Sequence, residues 1–363
     1  MSGPEFDLVL DTALGGMSPS PGPLDSGLLV ELAARHGLAA LVAARRSDDT
    51  DEGLRRVARA AQARSMAASA ELVRLSAALS DAGIRHLAFK GPATAMRLYG
   101  DVAARPFMDL DLLVDPDLLF QAADRAEQEG FGLDDRLARA HLHRMGGKHL
   151  SHIKGPVRLE LHREILGIEG TGRSFEELWQ DRAAFELAGA EIPTLGRADL
   201  IHQNCLHGTG HAFLCLKWLG DVVRLARDSV GWEEALAWAR RDRLEAAFLC
   251  GPALAADLGA PLPPELERAL RDGTSRQLSR LVEVCKATWH LHEGEMSLVS
   301  HRLQMLPRSR RWRALATMAL RPTASDWNAV PWLSPDTPIV FSILRPIRVA
   351  FKYGRRLLSG VTT

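Results

Sequence analysis

No stretch of this 363-residue chain approaches the ~18 uninterrupted apolar residues of a membrane-spanning helix. The opening "MSGPEFDLVLDTALGG" has neither the basic start nor the long apolar run of a secretory leader, so a cytoplasmic protein is expected. Cysteine is scarce. Cys205, Cys215, Cys250 and Cys285 lie far apart without a CxxC spacing, which argues against a disulfide frame or a thiolate zinc site and for reduced core residues. Net charge is zero, with 45 basic and 45 acidic side chains, and neither an internal repeat nor a low-complexity tract is found. These absences leave an ordinary water-soluble globular protein, long enough for two or three domains.

Charge is nevertheless uneven. From residue 301 onward eleven arginines and lysines stand against only Asp326 and Asp336. Such a tail can meet a phosphate-rich partner or a membrane surface; the plainer reading is that its arginines snorkel along helices and pair with the acidic body.

The periodicity divides the chain into four parts. Residues 1–82 are an irregular segment followed by Ala/Leu/Arg-rich helices, the last ending on Gly83. Residues 83–196 form an α/β core: "IRHLAFK" reads as a strand and "GPATAMRLYG" as a helix with Pro92 in its first turn. "MDLDLLV" is a second strand, and a helix follows, N-capped by Asp115 with Pro116 at its first position. "KHLSHI" and "VRLELHREI" are two strands joined by the tight turn "KGP". Residues 197–300 are a helical domain, and 301–363 are the basic tail. The expected class is α+β, a small mixed sheet flanked by helices.

The sequence "RPFMDLDLLV" carries the chemistry. Side chains alternate along a strand, so Asp109, Asp111 and Leu113 share one face. Two like charges so placed repel unless a cation lies between them, so either Asp→Asn change is expected to leave the fold intact or slightly more stable. Clustered carboxylates on rigid strands are what two magnesium ions need for phosphoryl or nucleotidyl transfer. A third acid of correct parity is Glu160 in "VRLELH", which shares its face with Arg158 and His162. The plainer reading of such a pair is a solvated strand face. Lys90-Gly91, between strand and helix, can bring a point charge, close backbone approach and a helix N-terminus to a phosphate, although the P-loop spacing is absent and, taken alone, a simple turn is the plainer reading.

Histidines are concentrated at His141, His143, His149 and His152, and at His207 and His211, spaced i, i+4. The last pair could hold zinc, but HExxH and an obvious third ligand are absent. His207 and His211, with Lys217 and Asp221, are placed where the helical domain meets the cleft, either binding nucleotide or acceptor or making interdomain hydrogen bonds.

Taken in order, "KGPATAMRLYGDVAARPFMDLDLLV", "LELH" and "CLHGTGHAFLCLKWLGDVVRL" resemble nucleotidyltransferase family 5, an uncharacterised bacterial branch of the DNA polymerase beta nucleotidyltransferase superfamily. The resemblance covers residues 80–230, with a looser match in the tail. It implies that Asp109, Asp111 and Glu160 are the catalytic and metal-ligating acids for Mg2+, two ions in all. It further implies that Lys90, Gly91 and Arg105 contact the triphosphate, and that His207, Lys217 and Asp221 belong to the nucleotide site. The partners implied are an NTP and an acceptor, a small molecule or peptide of a natural-product or polysaccharide pathway. The chain departs from the wider superfamily in having Lys-Gly where Gly-Ser is usual, and Glu for Asp as third acid. A metal-dependent glycosyltransferase and a degenerate nucleotide-binding module are the alternatives. The first would normally place its DxD at the end of a strand; the second is opposed by the complete set of three acids. No nucleic-acid recognition motif is found.

Overall fold

The protein's structure, a computed structural model, describes residues 3–16, 23–46, 52–135, 139, 142, 148–166, 171–273, 275–290, 298–320, 326, 330 and 340–348. His141, His143 and about half of the basic tail lie outside these. The chain begins with helices α1 (Pro4–Leu14), α2 (Ser26–Arg35), α3 (Ala39–Arg45) and the long α4 (Glu52–Asp81). Strand β1 (His86–Ala88), helix α5 (Gly91–Tyr99), strand β2 (Asp109–Val114) and helix α6 (Leu119–Gln128) follow. Strands β3 (Gly132–Leu133), β4 (His149–Lys154) and β5 (Val157–His162) precede α7 (Phe175–Gln180) and the hairpin β6 (Ala183–Leu187) and β7 (Ala190–Thr194). Helices α8 (Arg197–Gly210) and α9 (Leu216–Leu225) open the C-terminal helical part, which continues through Arg308–Leu320. The class is α+β, as the sequence pattern requires.

The sheet is mixed, with order β3-β4-β5-β2-β1-β7-β6. Antiparallel β1 and β2 sit at its centre; β5 flanks β2 in parallel and β7 flanks β1 in parallel. The β6–β7 hairpin is absent from the sequence reading, which ends the sheet near residue 165. Its turn carries positive φ at both central residues, Ala188 (51°) and Gly189 (80°). That backbone suits Asn-Gly or Asp-Gly, so an Ala-Gly turn gives little signal in sequence. The "KGP" turn is as expected: Lys154 pairs with Val157 across it, with Gly155 at φ 56°. Asp115 caps as expected too, accepting a hydrogen bond from the Asp117 N–H, but it begins a short 3-10 turn over Pro116–Leu118 before α6.

Two cores form. One face of the sheet (Leu110, Leu112, Val114, Leu150, Leu159, Leu161) is buried with Leu72, Leu75 and Leu79 of α4 and Ala122, Ala123 and Ala126 of α6. The start of α4 (Leu54, Ala58) and α1–α3 pack instead with α8, α9 and the later helices. The N-terminal helices therefore complete the C-terminal helical core, and α4 bridges it to the sheet. Cys205, Cys250 and Cys285 are buried free thiols, and although distant in sequence, Cys250 and Cys285 bring their Sγ atoms to 3.7 Å. In the described part of the tail, Arg345 and Arg348 pair with Asp326, within the tail itself. Among the described residues no helix is long and apolar enough to cross a membrane.

Candidate active site

Strand alternation separates core from chemistry. With Leu110, Leu112 and Val114 committed to the core under α4 and α6, Asp109, Asp111 and Leu113 emerge on the opposite face. There Leu113 joins a small cluster with Leu87, Phe89, Phe175, Leu178 and Leu195. β5 lies beside β2 in parallel, with Asp111 directly across from Glu160 and Leu113 from His162. The strands carrying "LELH" and "DLDLL" are therefore in-register sheet neighbours, although some fifty residues separate them. β4 returns antiparallel and sets His149 opposite His162, hence on the same face. His152 is opposite Leu159, on the other face, and its Nε2 is 3.8 Å from Glu127.

The cation that two adjacent carboxylates call for is supplied by the chain. Lys90 Nζ lies 2.8 Å from Asp111 Oδ1, and His162 Nε2 lies 2.9 Å from the same oxygen. That imidazole nitrogen is also 3.2 Å from Glu160 Oε2, and His149 Nε2 is 3.9 Å from the same glutamate oxygen. Asp111 is almost wholly buried, and its second oxygen, Oδ2, has no hydrogen-bond partner. The expectation that Asp111 is merely a repelled charge is thus corrected: two cationic partners make its carboxylate favourable where it stands.

The two aspartates consequently differ in protonation. At Asp109, burial and then the charge of Asp111 push the pKa from 3.8 up to about 6. At Asp111 burial acts in the same sense, but Lys90 and His162 outweigh it and hold the carboxyl below the usual carboxylate range. The hydrogen bond from His162 keeps Glu160 ionised to lower pH than usual, against the effect of burial. His162 itself is displaced upward, because Asp111 and Glu160 overcome the burial that would lower it.

Gly91 has a structural reason as well as a chemical one. Its φ is +47°, and a Cβ there would come within 2.9 Å of the Asp109 carbonyl oxygen. Only glycine lets the N-terminus of α5 rest against the start of β2. This sets the N-terminus of α5, and Lys90 immediately before it, beside the carboxylates.

The helical part closes the other side. His207 in the last turn of α8 and His211 at its C-cap lie with ring centroids 4.6 Å apart, tilted by 50°, and both pack on Trp218 of α9 at 5.3 and 5.2 Å. Burial, and then the charges of Lys90 and His211, depress the His207 pKa well below its ordinary value, so this ring faces the acid cluster as a neutral imidazole. Burial, and then Arg105, likewise lowers Lys217, whose Nζ donates to the Pro106 carbonyl at 3.3 Å. Arg105 and Asp221 meet each other. Arg105 Nε and Nη2 donate to the two Asp221 oxygens at 2.7 and 2.6 Å, and the Tyr99 hydroxyl adds a bond at 2.9 Å. Both charges are buried, so the pair is a strut holding the loop before β2 on α9.

Of the residues singled out in the sequence, Lys90, Gly91, Asp109, Asp111 and Glu160 are thus gathered at one sheet face. His207 and Lys217 border them, and Arg105 and Asp221 bind each other. Sequence reasoning missed His149, His162 and Trp218 as members of the site. His162 carried a signal, since its parity in "LELH" matches Glu160; His149 joins only through the hairpin register.

The family model described as an uncharacterised nucleotidyltransferase matches residues 22–260. Among solved structures the chain is similar to an antigenic nucleotidyltransferase-like protein from Paracoccidioides brasiliensis, with 14% identity, a TM-score of 0.32, and coverage of 53% of this chain and 93% of that one. No curated protein matches. With a family match over more than half its length, the chain belongs to this uncharacterised nucleotidyltransferase family.

Proposed function

We propose that the protein transfers a nucleoside monophosphate from an NTP to an acceptor hydroxyl in a magnesium-dependent reaction. The observation that carries this reading is the register of β2 against β5, which opposes Asp111 to Glu160 with Asp109 on the same face. The donors fit a hard divalent ion: all three are carboxylates, and the orphaned Asp111 Oδ2 is a buried acceptor with nothing to accept. Asp109, Asp111 and Glu160 would hold magnesium, which supplies neutralisation of charge on the phosphoryl oxygens when bound.

The remaining roles belong to the chain's own groups. Lys90, held on Asp111, is a cation within reach of phosphate, and the N-terminus of α5 turns the positive end of its dipole to an anion. The acceptor oxygen bonds to the α-phosphorus as the bond to the β-phosphate oxygen breaks, and pyrophosphate leaves with that electron pair. Glu160, ionised at neutral pH, accepts the acceptor's proton. His207, His211 and Trp218 provide flat, half-buried rings beside the acids for a base or a planar acceptor to stack on. Arg105 and Asp221 act by holding β2 against this wall.

The test is a thermal-shift panel with each NTP in the presence and absence of Mg2+. One or more nucleotides should raise the melting temperature in a Mg2+-dependent way in the wild type, and none in Asp109→Asn. A panel with no Mg2+-dependent shift in the wild type would refute the reading.

A further inference from the structure

We infer that His149, Glu160 and His162 form a second ion position that takes a borderline divalent transition ion, Zn2+ or Co2+, in preference to Mg2+. The three side chains come from adjacent strands, and one ligand atom from each lies within 4.8 Å of the others. Donors around a tetrahedral zinc with ~2.1 Å bonds lie roughly 3.4 Å apart, so the 3.2 and 3.9 Å separations from Glu160 Oε2 need only small side-chain adjustments. Two imidazoles and one carboxylate are a donor set that suits zinc and its neighbours, whereas magnesium demands oxygen ligands.

Independent features point to the same place. An ion here replaces the proton that His162 Nε2 directs to Asp111 Oδ1 at 2.9 Å, and Asp111, 3% exposed, keeps Oδ2 without a partner. His149 Nδ1 is likewise buried and unpartnered. The position is reachable, because the His149 and Glu160 side chains are 36% and 20% exposed. His152 is turned to the opposite sheet face by the same register that places His149 here, so strand parity selects one of the two β4 histidines. Glu160 belongs to both this position and the proposed transfer site. The proposal rests on that reading for its consequence, that an ion here occupies the third acid, but its occupancy can be tested without any nucleotide.

The experiment is a Co2+ titration of the full-length, metal-free protein without nucleotide, read by visible d–d absorption. The wild type should bind one Co2+ with a low-symmetry band that one equivalent of Zn2+ removes and excess Mg2+ does not. His149→Ala should lose the band or weaken Co2+ binding by at least about tenfold, since even outer partners of a ligand are worth that much. Asp109→Asn should keep the band. Melting in EDTA checks that His149→Ala is folded. A wild-type band in His149→Ala, displacement by Mg2+ as readily as by Zn2+, or loss of the band in Asp109→Asn alone would each overturn the proposal. A Mg2+-dependent NTP shift without a Co2+ band overturns this site and leaves the transfer reading standing; the Co2+ band without that shift does the reverse.

Discussion

Replacing Asp109 with asparagine should stabilise the metal-free protein at neutral pH, and the gain should disappear in acid. The carboxyl group's pKa is about 6 in the fold against 3.8 for its ordinary value, chiefly because burial and the Asp111 charge disfavour ionisation. The folded state therefore holds this proton more tightly than the unfolded chain. Below pH 3.8 both states are protonated and the group contributes nothing; between 3.8 and 6 the fold progressively loses stability; above 6 the full cost is present. At ~1.4 kcal/mol per pKa unit the cost at pH 7 is at most about 3 kcal/mol, and screening by solvent at a half-buried side chain reduces it, so about 1–3 kcal/mol is expected. Urea unfolding of wild type and Asp109→Asn in EDTA at several pH values between 3.5 and 8 measures the difference directly, with other titrating groups common to both. A midpoint gain at pH 7 that shrinks through pH 6 to 4 is the expected result. No gain at pH 7, or a gain independent of pH, would refute the electrostatic account. Asp111→Asn, two residues away on the same strand face, should behave oppositely and destabilise, because it strips Lys90 and His162 of their partner.

Lys90→Ala should cost about 1–3 kcal/mol of stability by leaving the buried Asp111 carboxylate short of a partner, and should raise the apparent Kd for NTP, both readable in one melting series. Glu160→Gln should lower kcat by about 100-fold or more with little change in NTP affinity, because a proton acceptor acts mainly in the transition state; steady-state kinetics with the identified acceptor decides it. Asp221→Ala should lose about 3–5 kcal/mol in denaturant unfolding, since it leaves the Arg105 guanidinium buried and unpaired. With transfer activity in hand, the rate at limiting Mg2+ should fall as pH drops through about 6, where Asp109 takes up its proton and ceases to be a ligand.

Much of the acid site was legible in the sequence because strand periodicity is local. A period of two puts Asp109 with Asp111 and Glu160 with His162 before any pairing is known, and the apolar residues between them announce which face is core. Helix signals were equally local: Pro92 near the start of α5, Gly100 in the left-handed conformation at its end, Asp115 as a cap. What the tertiary structure alone decided depends on contacts between distant segments. The partner of Asp111 is Lys90 because β1 and β2 are antiparallel neighbours, and that contact reverses the sign expected for removing the Asp111 charge. Arg105 and Asp221 each look like a ligand contact when read singly; packing α9 on the loop before β2 makes them each other's counterion. His149 enters the site through hairpin register, and β7 enters the sheet beside β1 through an Ala-Gly turn that carries almost no signal. Periodicity tells which way a side chain faces, whereas what it faces is set by chain segments whose pairing energy appears only when the whole sheet is assembled.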